Sequence, residues 1–270
     1  MQSAPAAAYQ ATDGAAYQVF LGRWTGRLAD ALLDVLEPPI SGALLDVGCG
    51  TGSLAFAMAQ RWPHRPVTGV DFAEPYITFA RARARKGNPA FDRGDACSLP
   101  YADDAFAAAV AQLVLNFVSD PSAALSEMCR VTRAGGTVAA AVWDFRGGLV
   151  YQRMFWDTAA GIDPAAASAR DRLFAAPLAL PDGLPKLFAN AELKSVGTRS
   201  VTIRMDYANF DDYWLPLCGG QGPVGVYVAQ LSSDVRVRIA DAMLQAYCSG
   251  APDGPRSLTA TAWVTWGFVP

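Results

Sequence analysis

Between Asp46 and Gly52 the chain reads Asp46-Val47-Gly48-Cys49-Gly50-Thr51-Gly52, three glycines alternating with other residues behind an acid. Glycine has no Cβ, so such a run can turn tightly and bring its backbone close to a ligand. Two further acids stand at informative positions. Asp71 closes the apolar run Val67-Thr68-Gly69-Val70, 19 residues after Gly52. A carboxylate so placed can accept from both hydroxyls of a ribose; it could equally cap a helix opening at Phe72-Ala73-Glu74-Pro75. Asp95, in the turn dipeptide Gly94-Asp95, could accept from an exocyclic amine while the N–H of Ala96 donates to the same ring, or serve only its own turn. Phe72, next to the ribose acid, is counted with these candidates. Gln112 ends another apolar run and is either a site residue or an inconsequential strand end.

The residues discriminate between two nucleotide-like ligands. The dinucleotide pattern G-x-G-x-x-G would need its last glycine where Ser53 stands. A carboxylate at Asp46 about 6 Å from a pyrophosphate would also cost about 3 kcal/mol at an effective dielectric near 20, whereas a cation would gain by it. An adenosyl ligand carrying a sulfonium and an ammonium suits this loop better, and that ligand is S-adenosylmethionine. Gln112 would then lie near its methionine part.

These residues need a scaffold. Ala43-Leu44-Leu45-Asp46-Val47 reads as a buried strand, 53–61 as a helix, 67–70 as a strand and 74–86 as a helix. The alternation continues through 105–112 (strand), 123–131 (helix) and 137–143 (strand), which indicates a parallel sheet covered on both faces. Ahead of it, Phe20, Leu21, Trp24, Leu28, Leu32 and Val35 repeat with a helical period, closed by Glu37-Pro38-Pro39. After Asp144 the rhythm weakens. A helix over 184–191, a strand over 196–205, mostly helix over 207–248 with a Gly/Pro break at 218–223, and a final strand over 257–269 complete the reading.

Four segments in order carry a resemblance to class I S-adenosylmethionine-dependent methyltransferases, the group that includes ubiquinone/menaquinone-pathway and other small-molecule enzymes. They are the glycine motif Leu44–Gly52, Val67–Asp71, Gly94-Asp95-Ala96 with Leu99-Pro100, and Arg130-Val131-Thr132-Arg133-Ala134-Gly135-Gly136, where Ala134 replaces the family's proline. The resemblance implies an α/β, Rossmann-like, doubly wound and mostly parallel seven-stranded sheet with an N-terminal helical lid and a late helical insertion. It implies one methyltransferase domain over 1–270: a helical lead at 1–36, a cofactor core at 44–143, a substrate and lid portion at 145–256 with its insertion at 207–250, and a last strand at 257–270. The cofactor-binding set is then Asp46, Gly48, Cys49, Gly50, Asp71, Phe72, Asp95, Ala96 and Gln112. Arg23 and Trp24 join it because the family's N-terminal helix closes over the cofactor: Arg23 would meet the methionine carboxylate and Trp24 or Tyr17 would cover the site. An arginine on a helix surface beside a packing tryptophan is the competing reading. An enclosed, largely apolar acceptor cavity is expected between Tyr17–Trp24 and residues 207–230.

Composition narrows the remaining options. The chain has 270 residues, 52% hydrophobic and 17% charged, with a net charge of −3. It therefore lacks the basic surface of a nucleic-acid binder. Residues 112–116 also replace the N/D-P-P-Y signature that the family uses on planar nitrogen acceptors. A single histidine, His64, and five scattered cysteines make a metal site or disulfide framework unsupported. His64 reads as a surface residue, and the basic run Arg81, Arg83, Arg85, Lys86 as a solvated helix end. No apolar stretch of membrane-spanning length is present, and a cytoplasmic setting is expected. The expected partner is a small apolar or aromatic acceptor, with no catalytic residue nominated. A cofactor-binding regulator without turnover and an NAD(P)-dependent oxidoreductase are the alternatives.

Overall fold

Apolar runs of four to seven residues, too short for stable helices of their own, pair side by side in the computed structural model, which describes residues 13–36, 41–85 and 87–270. Residues 1–12, the Glu37-Pro38-Pro39 stop and Lys86 lie outside the described residues. Strands β1 (Leu44–Val47), β2 (Val67–Asp71), β3 (Ala90–Arg93), β4 (Phe106–Gln112) and β5 (Thr132–Trp143) are mutually parallel. Their crossovers carry α3 (Ser53–Arg61), α4 (Glu74–Arg83) and α5 (Pro121–Val131). With β6 (Lys194–Tyr207) and β7 (Arg256–Phe268) the sheet runs β3-β2-β1-β4-β5-β7-β6, and β7 is antiparallel to both its neighbours. The strand β3 was not anticipated. The seven-stranded, mostly parallel sheet is the expected one.

Alternation along the strands builds two cores. Leu44, Ala108, Val110, Ala139 and Ala141 face one layer, whereas Leu45, Val47, Ala109, Ala111, Ala140 and Val142 face the other, against α5 and α8 (Gly183–Ala189). Every residue of β4 is buried, as a central parallel strand requires. The strand order reverses between β1 and β4, which opens a crevice at their carboxyl ends. No helix among the described residues is long and apolar enough to cross a membrane.

Two helical additions cover that crevice. The lead comprises α1 (Gly14–Tyr17), one π-helical turn (Gln18–Gly22) and α2 (Arg23–Leu33). Its α2 buries Trp24, Thr25, Leu28, Ala29, Leu32 and Leu33, the face that the helical period indicates. The insertion between β6 and β7 comprises α9 (Phe210–Leu217), α10 (Gly222–Ala229) and α11 (Ser233–Cys248), with the break between α9 and α10 where the Gly/Pro cluster lies. Two helices that follow β5, α6 (Val150–Ala160) and α7 (Pro164–Phe174), were not read from the sequence.

Lead and insertion are stitched together by the two residues expected in the site. The Arg23 guanidinium stands 4.2 Å from the Trp24 ring centre and pairs with Asp212 of α9 at 2.9 Å. Trp24 is 2% exposed and packs on Tyr207, with ring centres 5.3 Å apart. Neither residue lines the crevice. Their place in the cofactor set is therefore corrected: a carboxylate of the protein itself, Asp212, occupies the guanidinium. An exposed ion pair and a cation–π contact contribute about 1 kcal/mol together. Arg23→Ala should lower stability by about that amount in urea unfolding and leave ligand affinity within about threefold; a tenfold loss of affinity in a folded variant would return Arg23 to the site.

Candidate active site

The crevice encloses a cavity of about 460 Å³ whose floor is the glycine loop, within the range of small-molecule and cofactor sites. The N–H groups of Gly48 and Cys49 both donate to the Val70 carbonyl, at 2.7 and 3.0 Å, which folds the loop against the end of β2. Gly48 has φ +67°, and a Cβ there would lie 2.2 Å from a Val114 methyl, so glycine is obligatory on two counts. Gly50 differs: with φ +53° its added Cβ would meet only Tyr76, at 3.9 Å, and would stand in space that the cavity leaves free.

The three acids are all on the wall. Asp46 is 1% exposed, and its Oδ2 accepts the Ala55 N–H at 2.9 Å. It thereby satisfies a first-turn donor of α3, whose own N-cap, Gly52, has no side chain to do so. Burial pushes the Asp46 carboxyl up to about 8; the Ala55 bond opposes this, and the Asp71 charge adds to it. Asp71 accepts from the N–H of Gly50 and of Ala73, each at 2.8 Å. Burial raises its carboxyl too, against those two bonds. It does not cap α4, whose N-cap is Ala73. Each Asp71 oxygen keeps a lone pair for a further donor. Asp95 accepts the Cys97 N–H at 2.9 Å through one oxygen only. With Ala96 and the 69%-exposed Phe72 it forms the mouth of the cavity.

The opposite end is apolar and only partly legible in the sequence. Gln112 lines the cavity at the close of β4, beside the strand that carries the glycine loop, donating from Nε2 to the Thr25 carbonyl at 3.0 Å, while its buried Oε1 has no partner. Leu113, at φ +64°, Val114, Phe117, Trp143 and Phe145 continue the wall. Tyr17, Phe20 and Leu21 of the lead and Gly222 and Pro223 of the insertion roof it, the arrangement expected of those two segments. Other aromatics of the late region, among them Phe155, Trp214 and Phe210, pack on one another instead. Gln152 of α6 also lines the cavity and was missed, because nothing in the sequence distinguishes it from a helix-surface glutamine. Among the described residues the wall holds three carboxylates and no lysine, arginine or histidine. His64 is exposed elsewhere.

A glycine-loop floor, a strand-end acid and an acid beneath the loop all lie within the segment that a family comparison matches. The methyltransferase-domain family matches residues 45–140. Over those residues the chain is similar to a methyltransferase domain. The demethylmenaquinone methyltransferase of Roseiflexus castenholzii is 38% identical over 109 residues, 40% of this chain and 46% of that protein. The ubiquinone/menaquinone biosynthesis C-methyltransferase of Paracoccus denitrificans is 40% identical over 111 residues, 39% of this chain and 44% of that protein. The chain thus spans about half the length of the curated relatives it matches. A Haemonchus contortus phosphoethanolamine N-methyltransferase 2 solved with S-adenosyl-L-methionine shares the fold, with TM-score 0.58 and 14% identity, over 98% of this chain and 58% of that one.

The buried Asp46 carboxyl has a consequence for stability. The fold holds its proton up to about pH 8, whereas the unfolded chain releases it near 3.8. Stability is thus fully present below pH 3.8 and declines as pH rises through that window, by up to 1.4 kcal/mol per pH unit, order of magnitude. Asp46→Asn keeps an oxygen for Ala55 and removes the ionisation. The ligand-free variant should be more stable than wild type at pH 8 by about 1 kcal/mol or more, the gap closing toward pH 4; equal urea midpoints at pH 8 would contradict the buried, protonated state.

Proposed function

We propose that this chain transfers a methyl group from S-adenosylmethionine to a small acceptor of apolar or aromatic character. The observation that carries the reading is one continuous cavity with a glycine loop and three carboxylates at one end, an apolar wall at the other and, among the described residues, no cationic side chain. The residues present fit the cofactor: Asp71 retains lone pairs for two ribose hydroxyls, the mouth at Phe72, Asp95 and Ala96 suits an adenine, and the unpaired Gln112 Oε1 and the Asp46 carboxyl suit an ammonium. A pyrophosphate would face those same acids, which disfavours a dinucleotide.

The cofactor supplies an already activated methyl on a positively charged sulfur. The work left to the protein is alignment and exclusion of water. The Leu113–Phe117 turn after β4 and the Trp143–Phe145 end of β5 supply an apolar wall, and Tyr17, Phe20 and Leu21 of the lead line the same cavity. Burial holds the Tyr17 phenol protonated well above the usual tyrosine range, so this hydroxyl is a poor base. An acceptor that is nucleophilic without help from a strong base fits such a site. The relatives' names, which belong to quinone biosynthesis, support an aromatic acceptor.

Calorimetry on the purified protein tests the cofactor: S-adenosylmethionine and S-adenosylhomocysteine should bind and NADH should not. Affinity for NADH alone would overturn the reading. Within it, Asp71→Ala removes charge-assisted bonds of about 1.5–3 kcal/mol each, so S-adenosylhomocysteine should bind at least about tenfold more weakly. A folded Asp71→Ala protein with unchanged affinity would remove Asp71 as the ribose anchor.

A further inference from the structure

Among the described residues two buried oxygens on the cavity wall have no hydrogen-bond partner, and one of them lies at the cofactor's end. Gln112 Oε1 stands at the close of β4, beside the glycine loop's strand. The other is Gln152 Oε1. Gln152 is 4% exposed and sits in the first turn of α6, beyond β5, one strand further from the loop. Its Nε2 donates to the Tyr151 hydroxyl at 2.9 Å, and its N–H to the Leu149 carbonyl at 3.1 Å. That turn is itself fastened: the Leu149 N–H donates to Asp144, and the Tyr213 hydroxyl of α9 donates to the Tyr151 carbonyl at 2.8 Å. The amide is therefore held in place with one acceptor atom left over, which native interiors rarely keep without a use.

We infer that Gln152 orients the methyl acceptor, its Oε1 receiving an O–H or N–H from an uncharged molecule. This rests on the methyl-transfer reading above and adds a polarity to the acceptor. The adenine, ribose and methionine portions would find their partners on and around β1 to β4, which leaves Gln152 for the remainder of the cavity, whose lining includes Trp143, Phe145 and Phe20. The charge of the wall sets the second half of the specificity. Among the described residues the wall carries the acids Asp46, Asp71 and Asp95 and no cation, so an acceptor bearing a carboxylate or phosphate meets no counter-charge. A neutral acceptor without a donor leaves Gln152 unpaired, and a site built to receive a hydrogen bond rejects the analogue that lacks it.

Three probes of one ring system separate these requirements: 2-naphthol, 2-methoxynaphthalene and 2-naphthoate, titrated calorimetrically into protein saturated with S-adenosylhomocysteine. The naphthol should bind at least about tenfold more tightly than either of the others. Gln152→Met, of similar volume, should erase the advantage of naphthol over its ether and leave S-adenosylhomocysteine affinity unchanged. Gln152→Glu, which keeps an accepting oxygen, should retain that advantage. Equal binding of naphthol and ether by the wild type, preference for naphthoate, no naphthol binding at its solubility limit, or discrimination that survives in Gln152→Met would each overturn the inference. Failure of S-adenosylhomocysteine itself to bind would overturn the cofactor reading and this inference with it, and is seen separately in the first titration.

Discussion

The Asp71 carboxylate holds the site together before any ligand arrives. It accepts the Gly50 N–H from the loop after β1 and the Ala73 N–H from the turn into α4, so two crossovers of a parallel sheet are tied at one carboxylate. A group placed there is desolvated, and charge-assisted bonds to backbone donors offset part of that cost. The same bonds point its remaining lone pairs outward. Asp46 does the corresponding work one strand over, reaching under the loop to the first turn of α3. Two acids so close together in a dry place oppose each other's ionisation, and a positively charged ligand relieves that opposition while an anion increases it.

The rest of the cavity depends on those tethers being on one side only. At the far end the chain supplies aliphatic and aromatic surface, together with a residue held in an uncommon conformation. Leu113 takes φ +64° directly after β4, with its N–H donating to the Ala141 carbonyl of β5. A non-glycine residue there costs of order 1–3 kcal/mol and persists because the sheet over-determines it. The turn it makes swings Val114 and Phe117 into the wall. The lead and the insertion then close the space from outside, joined to each other by the Arg23–Asp212 and Trp24–Tyr207 contacts. The aromatics of the insertion divide the labour: Tyr213 ties α9 to α6 through its hydroxyl, Phe210 stacks on Trp214, and the cavity face is left to the glycine and proline that open α10.

The glycine loop, the strand-end acid Asp71, the parallel strands β1, β2, β4 and β5 and the existence of a final strand were all readable from residue type and spacing. Each is a local necessity: a turn against Val114 needs glycine at position 48, and a buried central strand needs an unbroken apolar run. Arg23 shows where that kind of reading stops. A guanidinium on a helix near a site is equally suited to a ligand's carboxylate or to one of the protein's own, and the position of Asp212, 189 residues later in the chain, decides between them. Gln152 shows the reverse: a glutamine in an amphipathic helix carries no mark of burial. Only the packing of α6 against β7, α7 and α11, with the Tyr213 tie from α9, buries it and leaves one oxygen unpaired. Spacing along the chain encodes what neighbours within a turn or a strand must do. Which polar groups become desolvated, and which charges find each other, depends on elements far apart in sequence, and the tertiary packing alone brings those together.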